Sequence, residues 1–161
     1  MRIGAHCGPV LVGNLGSRDR LHYTCIGDNV NFASKLEGLN KVYGTEILIS
    51  EDMYQHARLR YLCRPVDFIT LKGHAEQALI YEPLGARERI RDQAVDAIRL
   101  YTKSFYLMSA DHLKEAEAGF RAFLELVRDD KPAMRHLKFC QERLRQLDER
   151  EPQQHQKEFP N

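Results

Sequence analysis

Asn31 and Lys35 stand four residues apart in the run Gly27-Asp28-Asn29-Val30-Asn31-Phe32-Ala33-Ser34-Lys35-Leu36-Glu37. On a helix that spacing projects both side chains from one face. An amide and an ammonium near a helix N-terminus suit an anion, because free N–H groups and the helix dipole favour negative charge there. The same pair also suits an ordinary solvated helix face, and spacing alone leaves both readings open. Thr24 lies in the run His22–Ile26 just before this helix, and its hydroxyl can donate or accept. Lys72 follows in Leu71-Lys72-Gly73.

These residues need elements to hold them. His22 to Ile26 reads as a strand ending at Gly27-Asp28, with Asp28 as N-cap of a helix whose Val30, Ala33, Leu36 and Leu39 recur at helical spacing. Residues 2–6 read as a strand. Gly8, Gly13 and Gly16 are expected to bracket a hairpin around Pro9 to Val12. The Gly8/Gly13 spacing lacks a following Lys-Ser/Thr and so is not a phosphate-binding P-loop. Ser17 to Arg20 reads as a polar loop. Gly44 is expected to stop the helix, Glu46 to Ile49 to form a strand, and Ser50-Glu51-Asp52 to cap a short helix reaching about Ala57. Arg60 to Phe68, Ile69 to Leu71 and Ala78 to Glu82 read as closing strands with a hairpin at Lys72-Gly73. The alternation predicts a sheet with one face covered by helix.

From Pro83-Leu84-Gly85 onward the character changes: charge rises and helical periodicity takes over. Ile90, Ala94, Ile98, Tyr101, Phe105 and Met108 mark one helix. Leu113, Ala116, Phe120, Phe123 and Val127 mark a second, and Met134, Leu137, Leu144 and Leu147 a third. Asp130 and Pro132 make a helix start. The predicted organisation is a first domain over residues 1–83, a three-helix extension over 84–150 and a polar, disordered tail over 151–161.

Composition narrows the function classes. The 161 residues are 43% hydrophobic, with seven Phe and seven Tyr, and can build a core. A formal net charge of +1 gives no electrostatic case for nucleic acid. No run approaches a membrane span, and no secretory h-region opens the chain. Cys7, Cys25, Cys63 and Cys140 are scattered and read as reduced thiols of a cytoplasmic protein. His6 reads as a structural strand residue, and the other six histidines lack metal-ligand spacing.

The run Tyr23-Thr24-Cys25-Ile26-Gly27-Asp28-Asn29-Val30-Asn31-Phe32-Ala33-Ser34-Lys35-Leu36-Glu37 closely resembles the signature of class III adenylate/guanylate cyclase catalytic domains. Arg2-Ile3-Gly4-Ala5-His6-Cys7-Gly8 resembles an upstream block of that family. Gly44-Thr45-Glu46-Ile47-Leu48-Ile49-Ser50 and Leu71-Lys72-Gly73 resemble downstream ones. The resemblance implies an α+β fold, here the C-terminal half of a ferredoxin-like cyclase domain, followed by an all-α extension. Ala116 and Phe120 are placed as in a tetratricopeptide helix pair, whose apolar face must dock on the cyclase half, a second chain or a protein partner.

The resemblance further implies conversion of ATP to cyclic AMP, with Asn31 orienting the ribose and Lys35 facing the transition state. Thr24 would read the purine, as in bacterial adenylate cyclases with Thr at this position, and Lys72 would contact the triphosphate. Mg or Mn ions are implied for the complete domain. Their two aspartates do not occur in this chain, nor does the purine-reading Lys of the first half. Lys35 departs from the family's Arg and loses its planar fork. The expectation is therefore one side of a dimeric site, completed by a homodimer partner or a complementing cyclase half. The alternative is an inactive remnant that works as an interaction module through its helices.

Overall fold

The computed structural model describes residues 1–17, 20–70 and 77–155. The chain divides into two compact units, Met1–Ile90 and Arg91–Asn161. The elements run β1 (Ile3–Ala5), β2 (Leu11–Ser17), β3 (Arg20–Ile26), α1 (Asp28–Tyr43), β4 (Ile47–Ser50), α2 (Glu51–Ala57), β5 (Tyr61–Thr70) and β6 (Gln77–Ala86). A short 3-10 turn follows at Arg87–Arg89, and then α3 (Asp92–Ser109), α4 (Leu113–Leu126) and α5 (Lys131–His155). The class is α+β, as expected.

In the first unit β1, β4, β6 and β5 form one sheet in that order, while β2 and β3 form a separate two-stranded ribbon. β1 runs parallel to β4, and the β4–β6 and β5–β6 pairs are antiparallel. α1 covers one face of the sheet. Its Phe32, Leu36 and Tyr43 pack with Leu48, Val66, Ile69 and Ile80 into the core. At Gly4 on β1 helix and strand come close: a Cβ there would run into the Ala33 carbonyl, the Glu37 amide and the Leu36 side chain. Buried Asn40 ties the other end of α1 to the strand, donating to the Ile3 carbonyl at 3.0 Å while Thr45 donates to its Oδ1 at 2.7 Å. Ile80 faces α1, so its neighbour Tyr81 points to the other face. There it stacks on Tyr54 of α2 at 3.9 Å between ring centroids. Both faces therefore carry helix, not one.

Several local expectations change. α1 begins at Asp28 itself, and its N-cap is Gly27, without a side-chain cap bond. Gly27 sits at φ 139°, where other residues are strained, and its carbonyl accepts from Val30 and Asn31. Asp28 instead places a carboxylate in the first turn, where the dipole favours it. Gly13 and Gly16 lie inside β2 rather than bracketing a hairpin, and the ribbon pairs from Leu11↔Ile26 to Ser17↔Arg20. Ser50 does cap α2, accepting from the Met53 amide at 3.2 Å, and Gly44 ends α1.

The boundary expected at residue 83 falls inside β6, which continues to Ala86. Pro83 stands opposite Cys63 beside a register shift, a bulged position that tolerates the missing N–H.

In the second unit α3, α4 and α5 bury Tyr101, Phe105, Ala116, Phe120, Phe123, Ala133 and Cys140. Tyr101 meets Phe120 and Phe123 edge to face at 5.6 and 5.2 Å. Asp130 accepts from the Ala133 amide at 2.9 Å and caps α5 as expected. The tail expected to be disordered from residue 151 continues α5 to His155, and residues 156–161 lie outside the described residues. Among the described residues no helix is long and apolar enough to cross a membrane.

Candidate functional site

Asn31 and Lys35 are both exposed on α1, on a flank of the helix beside the buried Phe32 and Leu36. Lys35 Nζ donates to the backbone carbonyl of Thr70 at 2.6 Å. That bond brings the outer face of α1 to the last residue of β5. An ammonium carries three donors, so Lys35 keeps two for an anion while held there. Thr24 lies on β3, two residues from its end, exposed and paired with Gly13. Gly13 presents no side chain beside it. The strand-to-helix connection at Gly27 sets Thr24 and Asn31 at the two sides of one turn. Lys72 lies outside the described residues, two positions beyond Thr70.

The ribbon that carries Thr24 is exposed on both faces. Leu11 is 72% and Tyr23 76% exposed, with Val12, Leu15, Leu21 and Ile26 also open to solvent. Its attachment to α1 is at its root, through His6, whose structural reading fits, and through Asn29, which the sequence reading missed. His6, just past β1, has a buried ring. Its Nε2 lies 2.8 Å from Asn29 Oδ1 and its Nδ1 2.8 Å from Ser50 Oγ. Asn29 Nδ2 donates to the Pro9 carbonyl at 2.6 Å, which turns Oδ1 toward His6 and makes Nε2–H the donor. Nδ1 then accepts the Ser50 hydroxyl. Asp52 Oδ2 stands 3.8 Å from Nδ1, and the Phe32 ring packs at 4.8 Å. Nothing in the sequence singled out Asn29.

Among the described residues no group of three His, Cys, Asp or Glu side chains could hold a metal ion. This donor set does not fit the Mg or Mn ions that the resemblance implies. Arg64 and Glu82 form a buried ion pair across β5 and β6, with Nη2 2.7 Å and Nε 2.8 Å from one carboxylate oxygen. Burial pushes the thiol of Cys63 up to about 11, against a smaller opposing effect of Arg87.

Residues 1–82 match the adenylate and guanylate cyclase catalytic domain family. The chain is similar to Adenylate cyclase 1 of Rhizobium meliloti (strain 1021), with 42% identity over 84 residues, 52% of this chain and 13% of that protein. It is also similar to the terminal-differentiation specific adenylate cyclase of Dictyostelium discoideum, 29% identical over 150 residues, 91% of this chain and 7% of that protein. Among solved structures, the adenylyl cyclase CyaB from P. aeruginosa superposes with a TM-score of 0.47 at 34% identity, covering 56% of this chain and 45% of that one. The chain thus spans a small fraction of the length of these curated relatives.

Proposed function

The chain belongs to the adenylate and guanylate cyclase catalytic domain family, and from that premise we propose that its first unit supplies one side of a site that converts ATP to cyclic AMP. In that reaction the ribose 3′-oxygen attacks the α-phosphorus, the bond to the bridging oxygen breaks, and pyrophosphate leaves. In this reading the Asn31 amide orients the ribose and the Thr24 hydroxyl accepts from the adenine amino group. Lys35 and Lys72 offer ammonium donors where negative charge builds on the phosphates. The carrying observation is the Lys35–Thr70 bond. It brings the helix face bearing Asn31 and Lys35 to the root of the segment bearing Lys72.

The metal-binding carboxylates would come from a chain that carries the other cyclase half, since a second copy of these 161 residues lacks the same two aspartates. The test mixes this chain with a chain that supplies that half and follows cyclic AMP from ATP with Mg2+ or Mn2+. Turnover that appears on mixing and disappears with Asn31→Ala supports the reading; no turnover at any ratio sinks it.

A second reading, an interaction module without catalysis, draws on the helical unit. There Leu126, Met134, Phe139 and Leu147 are exposed apolar residues on α4 and α5. The same mixing experiment separates the two.

A further inference from the structure

We propose that Asn29 is a positioning residue that clasps the β2–β3 ribbon to the N-terminus of α1 and so fixes Thr24 relative to Asn31. The ribbon is a sheet of its own and is exposed on both faces. Its orientation is therefore decided at its two roots. The exit is Gly27, whose φ of 139° lies where a glycine backbone is permissive. The entry runs through Gly8 and Pro9, and there a side chain of α1 takes hold.

The Asn29 carboxamide uses both ends. Nδ2 donates to the Pro9 carbonyl at 2.6 Å, and Oδ1 accepts from His6 Nε2 at 2.8 Å. His6 is itself fixed by Ser50, the N-cap of α2, at 2.8 Å. Gly8 makes the room: a Cβ there would lie 2.5 Å from Asn29 Nδ2 and 2.6 Å from its Cγ. The clasp thus joins the end of β1, the entry to the ribbon and the first turn of the helix through one side chain, two residues before Asn31. An alanine loses both bonds. An aspartate keeps the acceptor for His6 but sets a carboxylate oxygen against the Pro9 carbonyl.

The proposal rests on the reading that Thr24 and Asn31 serve one nucleotide, so its test has two arms. The first uses the full 161-residue chain alone and compares backbone residual dipolar couplings of wild type, Asn29→Ala, Asn29→Asp and Gly8→Ala. In each variant the couplings of β2 and β3 should shrink at least about twofold as the ribbon averages over orientations, while those of α1, β4, β5 and β6 hold. Unchanged ribbon couplings, or an equal loss throughout the unit, overturn the clasp. The second arm adds the complementing cyclase half and compares kcat/KM for ATP and GTP. Asn29→Ala should lower the ATP preference at least about fivefold, beyond any common loss of kcat. An unchanged ratio overturns the positioning role. If the wild-type mixture turns over no nucleotide, the cyclase reading fails, and the first arm alone decides the clasp.

Discussion

Lys35 Nζ and the Thr70 carbonyl meet at 2.6 Å although 35 residues separate them in the chain. The bond joins the outer face of α1 to the end of β5, the far edge strand of the sheet. Because both groups are exposed, Lys35→Met should change unfolding free energy by no more than about 0.5 kcal/mol. On the proposed reading of the site it should lower cyclic AMP formation in the complemented assay by about tenfold or more, since a preorganised donor would be lost from the phosphate side. Lys35→Arg should match or exceed wild type, because the planar fork can hold two phosphate oxygens together. Wild-type turnover in Lys35→Met would remove Lys35 from the site.

The buried pair Arg64–Glu82 predicts an asymmetry in stability. Both side chains are largely hidden, and they are register partners on adjacent strands. Glu82→Gln takes the charge from a carboxylate that the buried guanidinium bonds through two nitrogens, so it should cost about 3 kcal/mol. The double change Arg64→Met with Glu82→Leu should recover most of that loss, since the buried guanidinium is then removed together with its carboxylate. Urea midpoints of the three variants check this. Equal destabilisation by single and double changes would refute it.

The parts of this fold that were legible in the sequence are those decided by neighbours in the chain. Ser50 caps α2 and Asp130 caps α5 because a side-chain oxygen reaches an amide three residues on. Gly44 ends α1, and the helical spacing of Tyr101, Phe105, Phe120 and Phe123 placed them in a core. The N-cap reading of Asp28 fails because Gly27, at φ 139°, takes that position and leaves Asp28 inside the first turn. The break at Pro83 was misplaced for a different reason. Whether a proline ends a strand depends on what stands opposite, and here that is a bulge at Cys63. Among the candidate residues, Asn31, Lys35 and Thr24 were found through the family pattern. Their setting was not, because the Lys35–Thr70 and Asn29–Pro9 bonds depend on sheet order and on the root of a separate ribbon.

Gly4 marks a close approach of α1 to the sheet. Gly4→Ala should cost about 3 kcal/mol, because the added methyl meets backbone atoms of Ala33 and Glu37 that cannot move without shifting the helix. Since α1 carries Asn31 and Lys35, complemented turnover should fall in the same variant even at temperatures where it remains folded. Gly38 on the same helix, with nothing near its missing Cβ, provides the control. Gly38→Ala should be neutral or stabilise by up to about 1 kcal/mol through its better helix propensity. Thermal melts of the two variants give the answer, and a Gly4→Ala chain as stable as wild type would mean that α1 does not sit against β1 as described.

Thiol chemistry gives the last prediction, and its sign follows from the direction of the shifts. Cys140 is fully buried in the helical unit, and desolvation, with a contribution from Glu117, pushes its thiol up to about 11. Cys63 is raised to about 11 as well, chiefly by burial. Each folded value lies above the ordinary 9.0, so folding favours the protonated form. The stability this contributes is fully present below pH 9, where neither state is ionised. It is lost as pH rises through 11, because the unfolded chain ionises first. Urea midpoints should therefore decline between pH 9 and 11, and Cys63→Ala with Cys140→Ala should flatten that part of the curve. At pH 8 a charged disulfide reagent should modify exposed Cys25 in the native chain well before Cys63 or Cys140, by about 100-fold or more. Cys25→Ser should abolish the fast phase. A fast phase that survives in Cys25→Ser and disappears in Cys140→Ala would show that the helical core opens far more readily than its packing implies.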